Sequence, residues 1–189
     1  MPPSSPDAIL QQTFRELAGT NKGALGNMIN RGQIPFHEKA DGWTEYTYRQ
    51  AFATRLVIRL GDHLDLKVAK STVENYLDTF VARFGADLLA GKQVFFGYGS
   101  NEGVSERDGG QVHVYDESFV AGPLNGLLED AIVRDDHDAF LHFDLVPLGS
   151  QKPRLTRVAM VDAGAEMTKF QRASGGHPRA IEWIKQAAA

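Results

Sequence analysis

The chain has 189 residues, of which 42% are apolar and 23% are charged, the proportions of an ordinary globular protein with one or two small domains. It contains no cysteine, which excludes disulfides, thiolate-bound metals and cysteine nucleophiles. The net charge is −4. The sequence has no run of about 18 apolar residues, the length needed to span a membrane, and residues 1–7 lack the pattern of a secretory signal. We therefore expect a cytoplasmic protein with a loose tail over residues 1–7.

The first predicted helix runs from about Asp7 to Ala18, with Asp7 as its N-cap and Gly19 as the residue that ends it. The helical period places its apolar residues on one stripe, which we expect to be buried. This stripe consists of Leu10, Phe14, Leu17 and Ala18.

The second predicted helix begins after Thr20 or Asn21 and ends at Asn30 or Arg31, where Gly32 follows. One of its faces is apolar and carries Ala24, Leu25, Met28 and Ile29. The other face carries only glycines and amide side chains, namely Gly23, Gly26, Asn27 and Asn30. Because an interior glycine costs about 1 kcal/mol relative to alanine, two of them suit a helix that presses closely against another surface.

Residues 36–46 predict a two-stranded wing, because the turn signal Asp41-Gly42 is flanked by strand-forming residues. The tip of the wing is expected near Lys39 to Gly42.

Two further helices are predicted, one over residues 48–60 and one over residues 67–84. Thr47 is in position to cap the first of them. Their buried rows are Tyr48, Phe52, Leu56 and Leu60, and Val68, Thr72, Tyr76 and Phe80. Arg55 and Arg59 share another face, for which ion pairs or simple solvation explain the charges at least as well as phosphate contact does.

Residues 87–189 predict an antiparallel α+β domain that follows a helical domain over residues 8–86, with Gly85 and Gly91 on either side of the junction. The strand candidates are Gln93–Tyr98, Gln111–Tyr115, Phe140–Val146 and Leu155–Val161. Helices are predicted over residues 124–133 and 178–187. The predicted fold class of the whole chain is therefore α+β.

The segment from Phe14 to Pro35 resembles the helix-turn-helix of bacterial and phage transcription regulators. The resemblance rests on Phe14, Ala18, Gly19, Thr20, Leu25 and Met28. Residues 42–52 are similar to the winged arrangement of MerR-like regulators, so the resemblance covers about residues 8–84, under half the chain. It implies a DNA-binding transcription regulator. A strand-rich half follows here, whereas MerR-like proteins have a long dimerising helix, and metal or drug sensing is therefore not carried over.

We expect double-stranded DNA to contact the recognition helix around residues 21–31 and the wing around residues 36–46. The residues assigned to this contact are Lys22, Gly23, Gly26, Asn27, Asn30, Arg31, Lys39, Trp43 and Arg49. Asparagines can pair with base edges, most often adenine, and the basic residues suit phosphates, although Trp43 fits a core position equally well. Residues 20–59 carry a net charge of +3 and residues 87–189 one of −5, so the first half is the better match for DNA.

No catalytic, metal-binding or cofactor-binding residue is assigned, and we expect a protein that is not an enzyme. Residues 105–110, which follow the glycine-rich segment 97–103, are interpreted as a polar loop rather than as the helix that a phosphate site requires there. The first alternative is a small-molecule or metal-dependent enzyme or sensor in the C-terminal half, with the helical half as an accessory domain. It is motivated by His113, His142 and Asp144, although polar residues on an open sheet explain these side chains more simply. The second is a protein-interaction module.

A two-fold homodimer is expected, because dimers read paired DNA half-sites and a single module buries too little surface for high specificity. We assign dimerisation, an effector ligand or a partner protein to the C-terminal half.

Overall fold

The computed structural model describes residues 8–37, 45–107, 110–123 and 154–188. Within these ranges the chain forms six helices and two small antiparallel sheets, which confirms the predicted α+β class. The helices are α1 (Gln11–Ala18), α2 (Lys22–Asn30), α3 (Tyr48–Gly61), α4 (Leu66–Leu89), α5 (Ala163–Ala173) and α6 (Arg179–Ala187). The strands are β1 (Ala8–Ile9), β2 (Tyr46–Thr47), β3 (Phe95–Arg107), β4 (Gly110–Gly122) and β5 (Arg154–Asp162).

Local signals predict most of the boundaries of α1 and α2. Gly19 and Gly32 adopt left-handed φ angles of 69° and 64° just beyond the two helices. At both ends the glycine N–H and the next N–H donate to carbonyls of the last turn, an arrangement that glycine favours because it has no Cβ. The side chain of Asn21 accepts a hydrogen bond from the Ala24 N–H at 2.9 Å and caps α2.

The predicted N-cap at Asp7 is wrong, because α1 begins at Gln11 and its N-cap position is Leu10. The preceding residues of β1 pair antiparallel with β2, a contact between segments far apart in the sequence. Leu10 consequently lies outside the buried stripe, with 65% of its surface exposed, whereas the remaining residues of that stripe are buried.

The described part of the wing does not form the predicted hairpin arm. Residues 34–36 form a bend and a turn, in which Phe36 adopts a left-handed φ of 55°. The strand β2 is present, but its partner is β1 rather than the start of the wing. The predicted tip, with Lys39 and Trp43, lies outside the described residues.

The long helices α3 and α4 pack against each other at the centre of the helical body. Thr47 caps α3 as predicted, in a capping box in which it accepts the N–H of Gln50 and its own N–H donates to the Gln50 side chain. Asp65 caps α4, which continues past its predicted end to Leu89. The buried side chains of α4 are Ala69, Thr72, Val73, Leu77, Phe80, Val81 and Leu88.

The larger sheet has the strand order β4-β3-β5, with both neighbours antiparallel to β3. Three of the four predicted strands are therefore present, although β3 and β4 extend further along the chain than predicted. Phe96 of β3 packs against Phe80 of α4 with 4.9 Å between ring centroids, so one face of the sheet covers the helices. The predicted strand 140–146 and the predicted helix 124–133 lie outside the described residues.

The glycine-rich segment 97–103 lies inside β3, and residues 105–107 continue the strand, so the predicted loop is wrong there. A Cβ at Gly97 would lie 2.1 Å from the carbonyl oxygen of Ala159. Glycine at this position permits the close approach of β5, which is why a strand can contain it.

Helices from both predicted domains share one hydrophobic core. Phe170 of α5 packs edge-on against Phe52 of α3, with ring centroids 5.5 Å apart. A Cβ at Gly85 would lie 3.1 Å from the Cγ2 of Ile184, so Gly85 allows α6 to approach α4. The division into residues 8–86 and 87–189 therefore does not correspond to two separate cores in the described residues. The sequence reasoning did not identify α5, whereas the predicted helix over residues 178–187 corresponds closely to α6.

Candidate nucleic-acid interface

The polar face of α2 points away from the core, as the sequence predicts. Its exposed residues are Lys22, Gly23, Asn27 and Asn30, and Arg31 is exposed just beyond the helix. A Cβ at Gly26 would meet no atom within 4 Å, so the space above this glycine is open. The helix therefore presents a surface on which only Asn27 and Asn30 project between its charged ends.

The inner face of α2 fixes the helix to the protein. Leu25 and Met28 are buried, and Ile29 packs against the core. The turn before α2 is short, because Gly19 and Thr20 both bond back to the last turn of α1. The outward face is thus attached to a defined support, as a recognition surface requires.

The charges of Lys22 and Arg31 are not neutralised within the part of the chain that the structure describes, where neither side chain forms an ion pair. They lie at opposite ends of α2. An anionic partner that lies along the helix could contact both charges.

Arg49, predicted to contact phosphate, has partners within the protein. Both of its Nη2 contacts with the Asp78 carboxylate measure 2.8 Å, and Nε donates to the same group at 3.2 Å. The guanidinium also lies 3.8 Å from the centroid of the Phe36 ring. These contacts favour a structural role for Arg49 over phosphate binding.

Phe36 is held through both of its backbone polar groups. Its N–H donates to the Glu74 carboxylate at 2.9 Å, and its carbonyl accepts from the Gln50 side chain at 2.6 Å. A left-handed φ is unfavourable for a bulky residue, and these bonds stabilise it. The chain leaving α2 is thereby fixed to α3 and α4. Sequence reasoning missed these two hydrogen bonds to the Phe36 backbone. Their only local signal is the position of Gln50, which lies three residues after the cap Thr47.

Arg55 and Arg59 both pair with Glu166 of α5. Arg55 is buried, and its Nε donates to Glu166 at 2.5 Å while its Nη1 donates to the carbonyl of Leu17 at 2.9 Å. Arg59 lies 3.5 Å from the same carboxylate, and Lys169 donates to it at 2.6 Å. Of the explanations that the sequence allowed, the structure therefore favours ion pairing within the protein.

Burial raises the pKa of the Glu166 carboxyl, but its cationic partners reverse the direction. Hydrogen bonds from Lys169 and Arg55, together with the charges of Arg55 and Arg59, place the pKa below its usual value. Glu166 is therefore a buried carboxylate that is ionised and fully partnered. Of its partners only Lys169 is local, three positions along the chain, whereas Arg55 lies 111 positions away, where the sequence around Glu166 gives no signal of it.

Two of the three residues of the metal hypothesis lie outside the described part of the chain. His113 lies in β4 opposite Val104, and both His142 and Asp144 lie outside the described residues. Among the described residues no group of three His, Asp or Glu side chains could hold a metal ion.

None of the helices in the described ranges is both long and apolar enough to cross a bilayer. Comparison with protein-family models, with curated proteins and with solved structures finds no match for this chain.

Proposed function

We propose that this protein binds double-stranded DNA sequence-specifically through the outward face of α2, and that it acts as a transcription regulator with a MerR-like helix-turn-helix. The observation that carries the proposal is the exposed surface of α2, where two asparagines project above two glycines. The major groove admits a helix, and asparagine pairs well with adenine there.

The glycines support the same function. Gly26 sits in the open on an exposed helix, where alanine would be the more stable residue. A helix that needs only to stay folded gains nothing from this glycine. A helix whose backbone must approach a partner closely does gain, because a glycine keeps side chains out of the interface.

The positive ends of α2 support a polyanionic partner. Lys22 and Arg31 are exposed and have no counter-ion in the described residues. Contacts from such cations to phosphates position a protein on the duplex, while base contacts give the sequence preference. We also propose that the protein binds as a homodimer, since two-fold dimers read paired half-sites. A mass that stays monomeric at all concentrations, together with full site-specific binding, would refute the dimer.

The experiment is selection of a random-sequence DNA duplex library by the full chain, followed by binding measurements on the enriched duplex. Asn27→Ala and Asn30→Ala should each reduce discrimination against mismatched bases by about 1–3 kcal/mol per lost contact and leave the fold intact. The matched control is Asn75→Ala, which removes an exposed asparagine of α4 and should change nothing.

Two outcomes would contradict the proposal. Enrichment of no sequence by the wild-type chain would refute sequence-specific binding, and unchanged discrimination in both asparagine variants would refute the assigned face. Affinity should also fall as salt rises, and Lys22→Gln should reduce the slope of that dependence by about one.

A further inference from the structure

The turn between α1 and α2 is contacted by Arg55 of α3, and Arg55 is itself paired with Glu166 of α5. The guanidinium of Arg55 forms the link, because it donates both to the Leu17 carbonyl and to the Glu166 carboxylate. Only 7% of Arg55 and 4% of Glu166 is exposed. This chain of contacts runs from the turn before α2 to the C-terminal part of the sequence.

Arg55 completes the end of α1. The N–H groups of Gly19 and Thr20 satisfy the carbonyls of Glu16 and Arg15, and Arg55 donates to the next one, that of Leu17. The guanidinium also covers Gly19, where a Cβ would lie 3.2 Å from Nη1. Arg55 therefore contacts the turn that determines where α2 leaves α1.

Glu166 is the ion-pair partner of the buried Arg55 guanidinium. An unpaired guanidinium would be costly at this depth, so loss of the carboxylate should draw Arg55 toward solvent and away from Leu17. Glu166 lies in the first turn of α5, which follows β5 directly through the cap at Asp162. The contacts of the turn thus continue through Arg55 and Glu166 to the segment that leaves the sheet.

We infer that Arg55 is a positioning residue for α2, and that Glu166 makes this positioning depend on α5. The consequence for DNA rests on the proposed function: α5 helps to set the orientation in which the face of α2 meets the duplex. The effect on the turn itself does not depend on DNA.

Amide hydrogen exchange on the full chain tests the inference with two variants. Glu166→Gln removes the charge and keeps the shape, whereas Arg55→Lys keeps a cation but loses the planar fork that reaches both partners. In both variants the hydrogen-bonded amides within residues 19–25 should exchange at least about tenfold faster, and those of α4 should change much less. Arg59→Gln is the matched control, because Arg59 contacts the same carboxylate from an exposed position.

Equal acceleration in the turn and in α4, or no acceleration in the turn, would overturn the inference. Both variants should also lose base discrimination: affinity for the duplex enriched by selection should fall at least about fivefold more than the salt-dependent affinity for non-specific DNA. If the variants accelerate amide exchange in the turn but the wild-type chain selects no DNA sequence, the positioning role of Arg55 stands and the proposed function is refuted. The two failures are therefore distinguishable.

Discussion

The guanidinium of Arg49 lies over the aromatic ring of Phe36, 3.8 Å from the ring centroid, and is held there by Asp78. Phe36 has a left-handed backbone and is bonded through its N–H and its carbonyl to two different helices. Arg49 and Phe36 together therefore fix the position of the chain just after the turn that follows α2.

We expect Arg49→Gln to lower the free energy of unfolding by about 1 kcal/mol, the sum of an exposed cation–π contact and a partly exposed ion pair. Urea unfolding measures this change. Arg83→Gln is the control, since its guanidinium lies 5.5 Å from the Phe84 ring and should contribute little. The salt dependence of DNA binding should be the same in Arg49→Gln as in the wild type. A slope of log affinity against log salt that is reduced by about one would indicate that Arg49 contacts phosphate after all.

Replacing Gly26 by alanine separates stability from binding. Since nothing lies within 4 Å of the new methyl group, Gly26→Ala should stabilise the protein by up to about 1 kcal/mol through helix propensity. If the backbone of α2 approaches DNA closely, the same variant should weaken binding by about tenfold or more. Thermal unfolding and duplex titration on one preparation measure both effects. A more stable protein with unchanged affinity would remove Gly26 from the interface.

Acid should destabilise the protein through Glu166. Its pKa is lowered in the folded state, so its stabilising contribution is complete above the usual carboxyl value of 4.5 and is lost as the pH falls through the lower folded value. Unfolding measured from pH 7 to pH 3 should show a smaller loss of stability below 4.5 in Glu166→Gln than in the wild type. Parallel curves would contradict the ionised state of this carboxyl.

His37 provides a control at higher pH. Burial and the charge of Lys70 lower the pKa of His37 from 6.5, so protonation opposes folding and stability falls as the pH drops below 6.5. His37→Gln should remove this earlier loss and leave the later one, which assigns the two pH ranges to different side chains.

Thr54 should tolerate, and benefit from, loss of its hydroxyl. Its Oγ1 is buried and has no hydrogen-bond partner among the described residues. Thr54→Val keeps the branched shape and should raise the free energy of unfolding by about 1 kcal/mol. Thr72→Val is the matched control, because the Thr72 hydroxyl donates to the Val68 carbonyl at 3.0 Å and its loss should not stabilise. A destabilised Thr54→Val would indicate a partner for this hydroxyl.

The sequence predicts those features that depend on neighbouring residues. Gly19, Asn21 and Thr47 mark helix ends through local backbone geometry, and the outward face of α2 follows from its helical period. These signals act within one or two turns, so tertiary packing rarely overrides them.

The features that the sequence did not predict depend on distant partners. Leu10 is exposed because the preceding residues pair with β2, and Gly85 lies inside α4 because α6 packs on it. The strand through Gly97 requires β5 beside it. The ion pair of Arg55 with Glu166 could not be predicted either, because the two residues are 111 positions apart.

The packing of α5 and α6 into the helical core has a consequence for synthesis. The ribosome delivers α1 to α4 well before Phe170 and Ile184, which complete the core around Phe52 and Gly85. The nascent chain must therefore hold uncovered aromatic surface until residues 163–187 emerge, a state that favours chaperone binding or aggregation.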